Sequence, residues 1–427
     1  MKKLLLIISL LICNVMLGQD SSKNYSLHFQ STIIPQYHPN FNSPYSDELS
    51  FKSNEPIATS LTITGYLTYK YKNTYISFDP EASGGKGLSK TQGIAGFVNG
   101  EIYRVGSPKL SPYIARIYIE QRFPLDSKKE DVDEDQNIIK EYGYKNYISI
   151  IGGKFSLTDF LDNSKISHDP RTQFLNWSIM GDGSWDYPAN TRGYTEGLCF
   201  ITKYNSYFIK YANVAMPNLA NGANMKWNNY HNGQVIEISK EGFHLLKNTD
   251  NDIHIGIYKN ISNMGNYELA ISLNKSIDSL NCITTKTGYY IGVENHYKKT
   301  NQFFKTSWND GKNESWCFTE IDKSITIGNT LDGSLWKRNN DCFGIAYVKN
   351  DISDSHKKYL ASGHYGFIIG DGKLINYGSE QILETYYSIY LVKILSISFD
   401  YQYIINPAYN KDRGPINVFG IRFHFSK

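Results

Sequence analysis

Past its first 18 residues the sequence contains no run of about 20 apolar residues, the length a helix needs to cross a bilayer, so a helical membrane protein is excluded. Cysteine is scarce. Of five in 427 residues, Cys199, Cys282, Cys317 and Cys342 lie beyond the N-terminal stretch, without CxxC or metal-type spacing. They argue for small apolar side chains rather than a disulfide framework, because a chain of this length needs no staples. Neither sign of charge dominates, with 44 Lys and Arg against 41 Asp and Glu, and nothing in the electrostatics points to nucleic acid. There is no fixed-period repeat, no heptad pattern and no low-complexity tail.

Catalytic signatures are missing as well. Gly84-Gly85-Lys86-Gly87 is glycine-rich but lacks the spacing and the Ser or Thr after Lys of a phosphate-binding loop. His168-Asp169 has no second metal ligand at helical or turn spacing. Asp182, Asp186 and Glu196 have the residue types of a glycosidase carboxylate pair, yet Gly181, Gly183, Pro188 and Gly193 around them read as a tight loop. No catalytic, metal or cofactor set is therefore expected.

What is present begins with an export leader. Lys2 and Lys3 precede the apolar stretch 4–12, and Gly18 offers a small residue before the polar Gln19-Asp20-Ser21-Ser22. Residues 1–18 read as a signal peptide and 19–427 as one mature domain. The charged run 124–140 and the stretch 309–314 read as solvated loops between strands rather than linkers.

The body of the chain alternates with a period of two, the signature of strands with one wet and one dry face. Leu61, Ile63, Leu67, Tyr69 and Tyr71 oppose Thr62, Thr64, Tyr66, Thr68 and Lys70. Tyr113, Ala115, Ile117 and Ile119 oppose Arg116, Tyr118, Glu120 and Arg122. Ile253, Ile255 and Ile257 oppose His254, Gly256 and Tyr258. In the last strand Phe419, Ile421, Phe423 and Phe425 oppose Val418, Gly420, Arg422 and His424.

A soluble sandwich would also alternate, so the chemistry of the faces decides. Dry faces ending in Tyr and Phe suit the aromatic girdles of an outer-membrane barrel, and full charges in mid-strand suit a water-filled lumen. The expected fold is an all-β, transmembrane antiparallel β-barrel. At about 26 residues per strand and connection, sixteen strands fit, and roughly 14 or 18 fit nearly as well. Aromatics mixed with Arg, Asp, Glu, Asn and Gln suit sugars, which present apolar ring faces and polar edges; the same residues could equally solvate a lumen.

Several segments resemble the carbohydrate-selective porin family of Gram-negative outer membranes. These include Pro35-Gln36-Tyr37-His38-Pro39, Pro80-Glu81, Asn99-Gly100-Glu101 and Tyr113-Ile114-Ala115-Arg116. The central signature is Gly153-Lys154-Phe155, Asp159-Phe160, Asp169-Pro170-Arg171-Thr172-Gln173-Phe174, Asn176-Trp177, Trp185-Asp186-Tyr187-Pro188 and Thr191-Arg192-Gly193-Tyr194. Glu384-Thr385-Tyr386-Tyr387, Asn406-Pro407 and Arg413-Gly414-Pro415 follow in order. The resemblance runs from about residue 27 to the end and implies an outer-membrane barrel with inward-folded loops that acts as a pore, not an enzyme. Such a pore passes mono- and small oligosaccharides by diffusion through a charged constriction, contacts outer-membrane lipid, and needs no cofactor.

Arg116, Glu120 and Arg122 are the expected pore residues, because one strand face aligns their charges; Glu101 and Arg104 lie in the preceding matched segment. Asp169, Arg171, Trp177, Trp185, Asp186 and Arg192 belong to the signature, where bracing of a folded loop competes with sugar contact. Two alternatives stand beside this reading. Arg104, Arg116 and Arg122 would suit a general or anion-selective porin, and Asp182, Asp186 and Glu196 a soluble exported sugar-binding or sugar-cleaving protein. Two departures from the family are Ser426-Lys427 after the last aromatic and the four cysteines.

Overall fold

The computed structural model describes residues 24–102, 108–245, 249–280 and 282–427. The leader stretch 1–18 and Arg104 lie outside the described residues.

Sixteen antiparallel strands close on themselves. They are β1 (Tyr25–Tyr37), β2 (Ala58–Tyr71), β3 (Thr74–Gly85), β4 (Ser111–Pro124), β5 (Tyr147–Phe155), β6 (Thr195–Tyr204), β7 (Tyr207–Val214) and β8 (Asn232–Phe243). The circuit continues with β9 (Asp250–Ser262), β10 (Thr284–Tyr297), β11 (Thr300–Asn309), β12 (Lys323–Asp332), β13 (Cys342–Asp351), β14 (Glu380–Val392), β15 (Leu395–Ile405) and β16 (Ile416–Ser426). β1 pairs with β16 from Gln30↔Ser426 to Tyr37↔Phe419, which removes the open edge a sheet would otherwise present. No helix among the described residues is long and apolar enough to cross a membrane; the crossing is made by strands.

The alternation read from the sequence sorts the faces. Ile119, Ile255, Ile257, Phe399, Phe419 and Phe423 are exposed on the outer wall, while Thr64, Tyr66, Tyr258, Asp400, Arg422 and His424 are buried inside. Exposed Tyr25, Tyr69, Tyr71, Tyr204 and Tyr207 cluster at the end of the barrel with the tight turns 72–73 and 205–206, as an interfacial girdle requires.

The alternation of β4 is interrupted by a change of register. The register between β3 and β4 shifts at Asp79/Pro80, so Asp79 faces Arg116 but Pro80 faces Ile114. Proline offers no N–H to the ladder, and the extra residue on β4 is accommodated as a bulge. Arg116, Tyr118, Glu120 and Arg122 keep the inner face, but Tyr113 joins them inside, and exposed Ile114 takes the outer face instead.

The connections differ at the two ends. At the end opposite the tight turns, long segments fold into the barrel and are fastened by buried carboxyl groups that each accept two or three backbone N–H groups. Glu384 of β14 takes those of Leu175 and Asn176; Glu380 takes those of Ala95, Gly96 and Ala408. Glu320 takes those of Ile368 and Ile369. Without these bonds the buried carboxyl oxygens would be left unsatisfied, at a cost of about 1–3 kcal/mol each. The stretch 309–314, expected to be solvated, belongs to this interior: Asn309, Asn313 and Glu314 are all buried.

The charged run is also not a free loop. Between β4 and β5 the chain forms a two-stranded ribbon, Lys129–Val132 against Glu141–Tyr144, that turns back into the mouth at the tight-turn end. Glu141 reaches Lys70 of β2, Tyr75 of β3 and Arg122 of β4; Glu130 meets Lys203 of β6, and Glu134 meets His28 of β1. Its acidic residues have basic partners on the inner wall, which composition alone could not reveal. The four described cysteines are free thiols; Cys199 and Cys317 are buried, and Cys342 lies 3.5 Å from the Tyr386 hydroxyl inside the barrel.

Candidate functional site

The inner face of β2 to β4 carries the densest set of charged and aromatic side chains the loops leave partly open. Four arginines descend it from the long-loop end to the tight-turn end, each held by acidic or hydroxyl partners and each beside tyrosine. Arg192 lies 3.8 Å above the Tyr113 ring and donates to the Ser83 hydroxyl at 2.9 Å. Arg171 donates from Nε to Glu101 at 2.7 Å, from Nη2 to Glu81 at 3.0 Å, and from Nη1 to Thr64 and Tyr66. Arg116 grips Asp159 with Nε and Nη2 at 2.7 and 2.6 Å and stands 3.4 Å from Asp79, flanked by the rings of Tyr66 and Tyr194. Arg122 clamps Glu120 at 2.7 and 3.1 Å and covers the rings of Tyr75 and Tyr147 at 4.2 and 5.0 Å.

The spacing follows from the strands. Ser83, Glu81, Asp79 and Tyr75 on the inner face of β3 partner the four guanidiniums in that order, and alternate residues of a strand lie about 6.6 Å apart. Two arginines belong to the barrel and two to segment 156–194, so the wall is assembled only when that segment folds inward. A planar guanidinium can hold a carboxylate edge-on while stacking face-on against a ring, which lysine cannot do.

Asp169 shapes the turn that carries Arg171. Its carboxylate accepts the Arg171 N–H at 2.9 Å and the Thr172 hydroxyl at 2.7 Å. Burial opposes its charge, but the Arg171 guanidinium and these bonds prevail and hold the carboxyl below the usual range. At Glu101, burial wins over Arg171 and the carboxyl sits above its ordinary value.

The remaining signature residues lie away from the wall. Trp177 is buried, stacked on Phe97 and packed against Phe318, and buried Trp185 packs on Tyr187 and Tyr290. Asp186 accepts the backbone N–H groups of Trp316, Cys317 and Phe318 at 2.6, 2.8 and 3.0 Å. Asp182 and Asp186 are buried inside while Glu196 is exposed on the opposite face of β6 from buried Thr195, so the three do not converge on one substrate.

Asp79, Glu81, Asp159, Tyr66, Tyr75, Tyr113, Tyr194 and Glu141 complete the wall and were not singled out as site residues. Glu81 and Asp159 stand in matched family segments, Tyr75 follows the tight turn 72–73 and Tyr66 lies in the middle of β2, but only the register puts them beside arginine.

The sequence profile of the carbohydrate-selective porin, OprB family matches residues 70–426. No curated protein sequence matches the chain. Among solved structures, the high-pH structure of Pseudomonas putida OprB superposes with a TM-score of 0.68 at 12% identity, covering 95% of this chain and 94% of that one. The Salmonella typhi OmpF complex with daunomycin gives 0.54 at 8% identity over 96% and 99%, and the outer membrane channel DcaP of Acinetobacter baumannii 0.51 at 11% over 96% and 99%. At these identities the likeness is one of fold.

Proposed function

The chain belongs to the carbohydrate-selective porin, OprB family and is an outer-membrane channel for carbohydrates rather than an enzyme; from that premise we propose that mono- and small oligosaccharides diffuse along the arginine–tyrosine wall of β2 to β4. The observation that carries this reading is the alternation of four guanidiniums with tyrosine rings down one side of the lumen. A sugar moving along it exchanges hydration for charged hydrogen-bond partners on its hydroxyl edge, while the buried rings of Tyr66, Tyr75 and Tyr194 hold the guanidiniums in place. Neither group changes covalently, so passage needs only the concentration gradient. Asp186, Trp177 and Trp185 serve by holding the segment that presents Arg171 and Arg192. The exposed apolar band and tyrosine girdle meet lipid.

Anion selectivity is the weaker reading. Arg116, Arg122 and Arg171 are each paired with carboxylates, Asp79, Asp159, Glu120, Glu141, Glu81 and Glu101, so the wall carries no excess of positive charge.

The test is the ion current through single channels in a planar bilayer. Glucose- or maltose-sized sugars should reduce it reversibly, and R116Q with R122Q should weaken that block several-fold. Liposomes bearing folded protein that admit no such sugar would overturn the reading.

A further inference from the structure

Asp162 and Asp182 from the inward segment meet His254 of β9 in a cluster unrelated to the arginine wall, with one ligand atom from each within 4.8 Å of the others. Three features set it apart from an ordinary ion pair.

The first is orphaned polarity. Neither oxygen of the Asp182 carboxylate has a hydrogen-bond partner, and Asp162 Oδ1 and His254 Nε2 also have none, although the side chains of Asp182 and Asp162 are 0% and 1% exposed. Leaving a buried carboxylate oxygen unpaired costs on the order of 1–3 kcal/mol, more when charged. The ammonium groups that reach this segment are engaged by other acceptors: Lys305 donates to the carbonyl oxygens of Ile179 and Met180, and Lys210 to that of Phe160 and to Glu237.

The second is distance. His254 Nε2 lies 3.6 Å from Asp162 Oδ1 and 3.6 Å from Asp182 Oδ2. That is too long for a hydrogen bond. It is close to the edge of a tetrahedron around a metal with bonds of about 2.0–2.1 Å, roughly 3.4 Å.

The third is how the donors are held. Asp162 Oδ2 accepts the Asp182 N–H at 2.8 Å, and the Asp162 N–H donates to Glu237 of β8 at 2.8 Å, fixing both carboxylates. His254 faces Gly292 across the β9–β10 ladder, where a Cβ would stand 2.2 Å from the imidazole. Glycine there lets the ring lie across the neighbouring strand.

We propose that Asp162, Asp182 and His254 bind one divalent transition-metal ion, with Zn2+ the best match, which clamps the inward segment to β9. One imidazole nitrogen with two carboxylates suits a borderline ion rather than Ca2+ or Mg2+, which favour all-oxygen shells. The His254 side chain is 12% exposed, but its Nε2 and the free carboxylate oxygens are buried, so the ion is enclosed between segment and strand. A second group, Asp252, Glu294 and His296, also approaches ligand spacing, but Asp252 there is already paired with Lys165. The sequence could not announce the set, because its members come from separate segments.

Full-length protein folded in detergent, stripped with EDTA and titrated with Zn2+ alone is the experiment. One Zn2+ per chain should bind, Ca2+ should not compete, and D182N and H254Q should each weaken binding by more than the roughly 10–100-fold that outer-shell changes cost. E294Q should leave binding unchanged. X-ray absorption of the Zn2+-loaded wild type supplies a readout independent of the variants' folding: one imidazole with oxygen ligands is expected. Absent stoichiometric binding, unchanged affinity in D182N and H254Q, or a shell without imidazole would overturn the proposal.

Discussion

Arg171 on the inward segment and Glu81 on β3 form an ion pair, Nη2 to Oε2 at 3.0 Å, with side chains 12% and 4% exposed. The same guanidinium holds Glu101, so one residue neutralises two enclosed carboxylates and ties loop to wall. Replacing it with Gln removes that charge and leaves Glu81 with the hydroxyls of Thr64, Tyr113 and Tyr194, and removing one partner of a buried pair costs about 3–5 kcal/mol. R171Q should therefore loosen the inward segment before the barrel unfolds. Fluorescence of Trp177 and Trp185 should change at lower denaturant than strand loss followed by circular dichroism. R171K should recover only part of the loss, because an ammonium cannot fork between two carboxylates.

Arg122 is the last guanidinium of the wall, near the tight-turn end. R122A removes one positive charge and the guanidinium that clamps Glu120, while Glu141 keeps Lys70 and Tyr75. The local potential becomes negative, so cation over anion permeability should rise. The expected result is a reversal-potential shift toward the cation equilibrium value in a salt gradient, larger at low salt because screening is weaker there. Sugar block should weaken in parallel, since a charged hydrogen-bond donor to the sugar's hydroxyl edge is lost.

The barrel was legible in the sequence because its cause is local. A period of two places Phe419, Ile421 and Phe423 on one face and Arg422 and His424 on the other whatever the neighbouring strands are. Arg116, Glu120 and Arg122 were found by the same rule. What the rule could not supply was pairing. Tyr113 turned inward because Pro80 on the adjacent strand forces a register shift, a cause outside β4 itself. Asp186 reads as one carboxylate in a glycine-rich stretch; its partners, the N–H groups of residues 316–318, are far along the chain. The ribbon reads as solvated for the same reason, since Lys70, Arg122 and Lys203 that receive it belong to three different strands.

That ribbon makes a separate prediction. It holds to the wall through partly exposed pairs, each worth well under the value of a buried pair, about 0–1 kcal/mol. Excising residues 128–144 and closing the ends with a short Gly-Ser turn should leave barrel stability nearly unchanged, judged by heat-modifiable mobility. It should raise single-channel conductance, because Glu130, Glu134 and Glu141 leave the mouth. If conductance is unaltered, the ribbon does not narrow the path.

Glu314 predicts how the packing of the interior responds to pH. Burial pushes its carboxyl up to about 8, and the Gly265 N–H, which donates to it at 3.2 Å, only partly opposes this. In the unfolded chain the group titrates near its ordinary value, 4.5. Between these values the folded state keeps a proton that the unfolded state releases, so stability falls as pH rises. The contribution of Glu314 is complete below about pH 4.5, declines through the window and is constant above about pH 8. E314Q stays neutral throughout and should remove this slope. Hydrogen exchange across 310–322 is the measurement: in the wild type protection should drop from pH 5 to pH 8 after correction for intrinsic exchange, and in E314Q it should stay level. An equal drop in both would assign the pH response to another group.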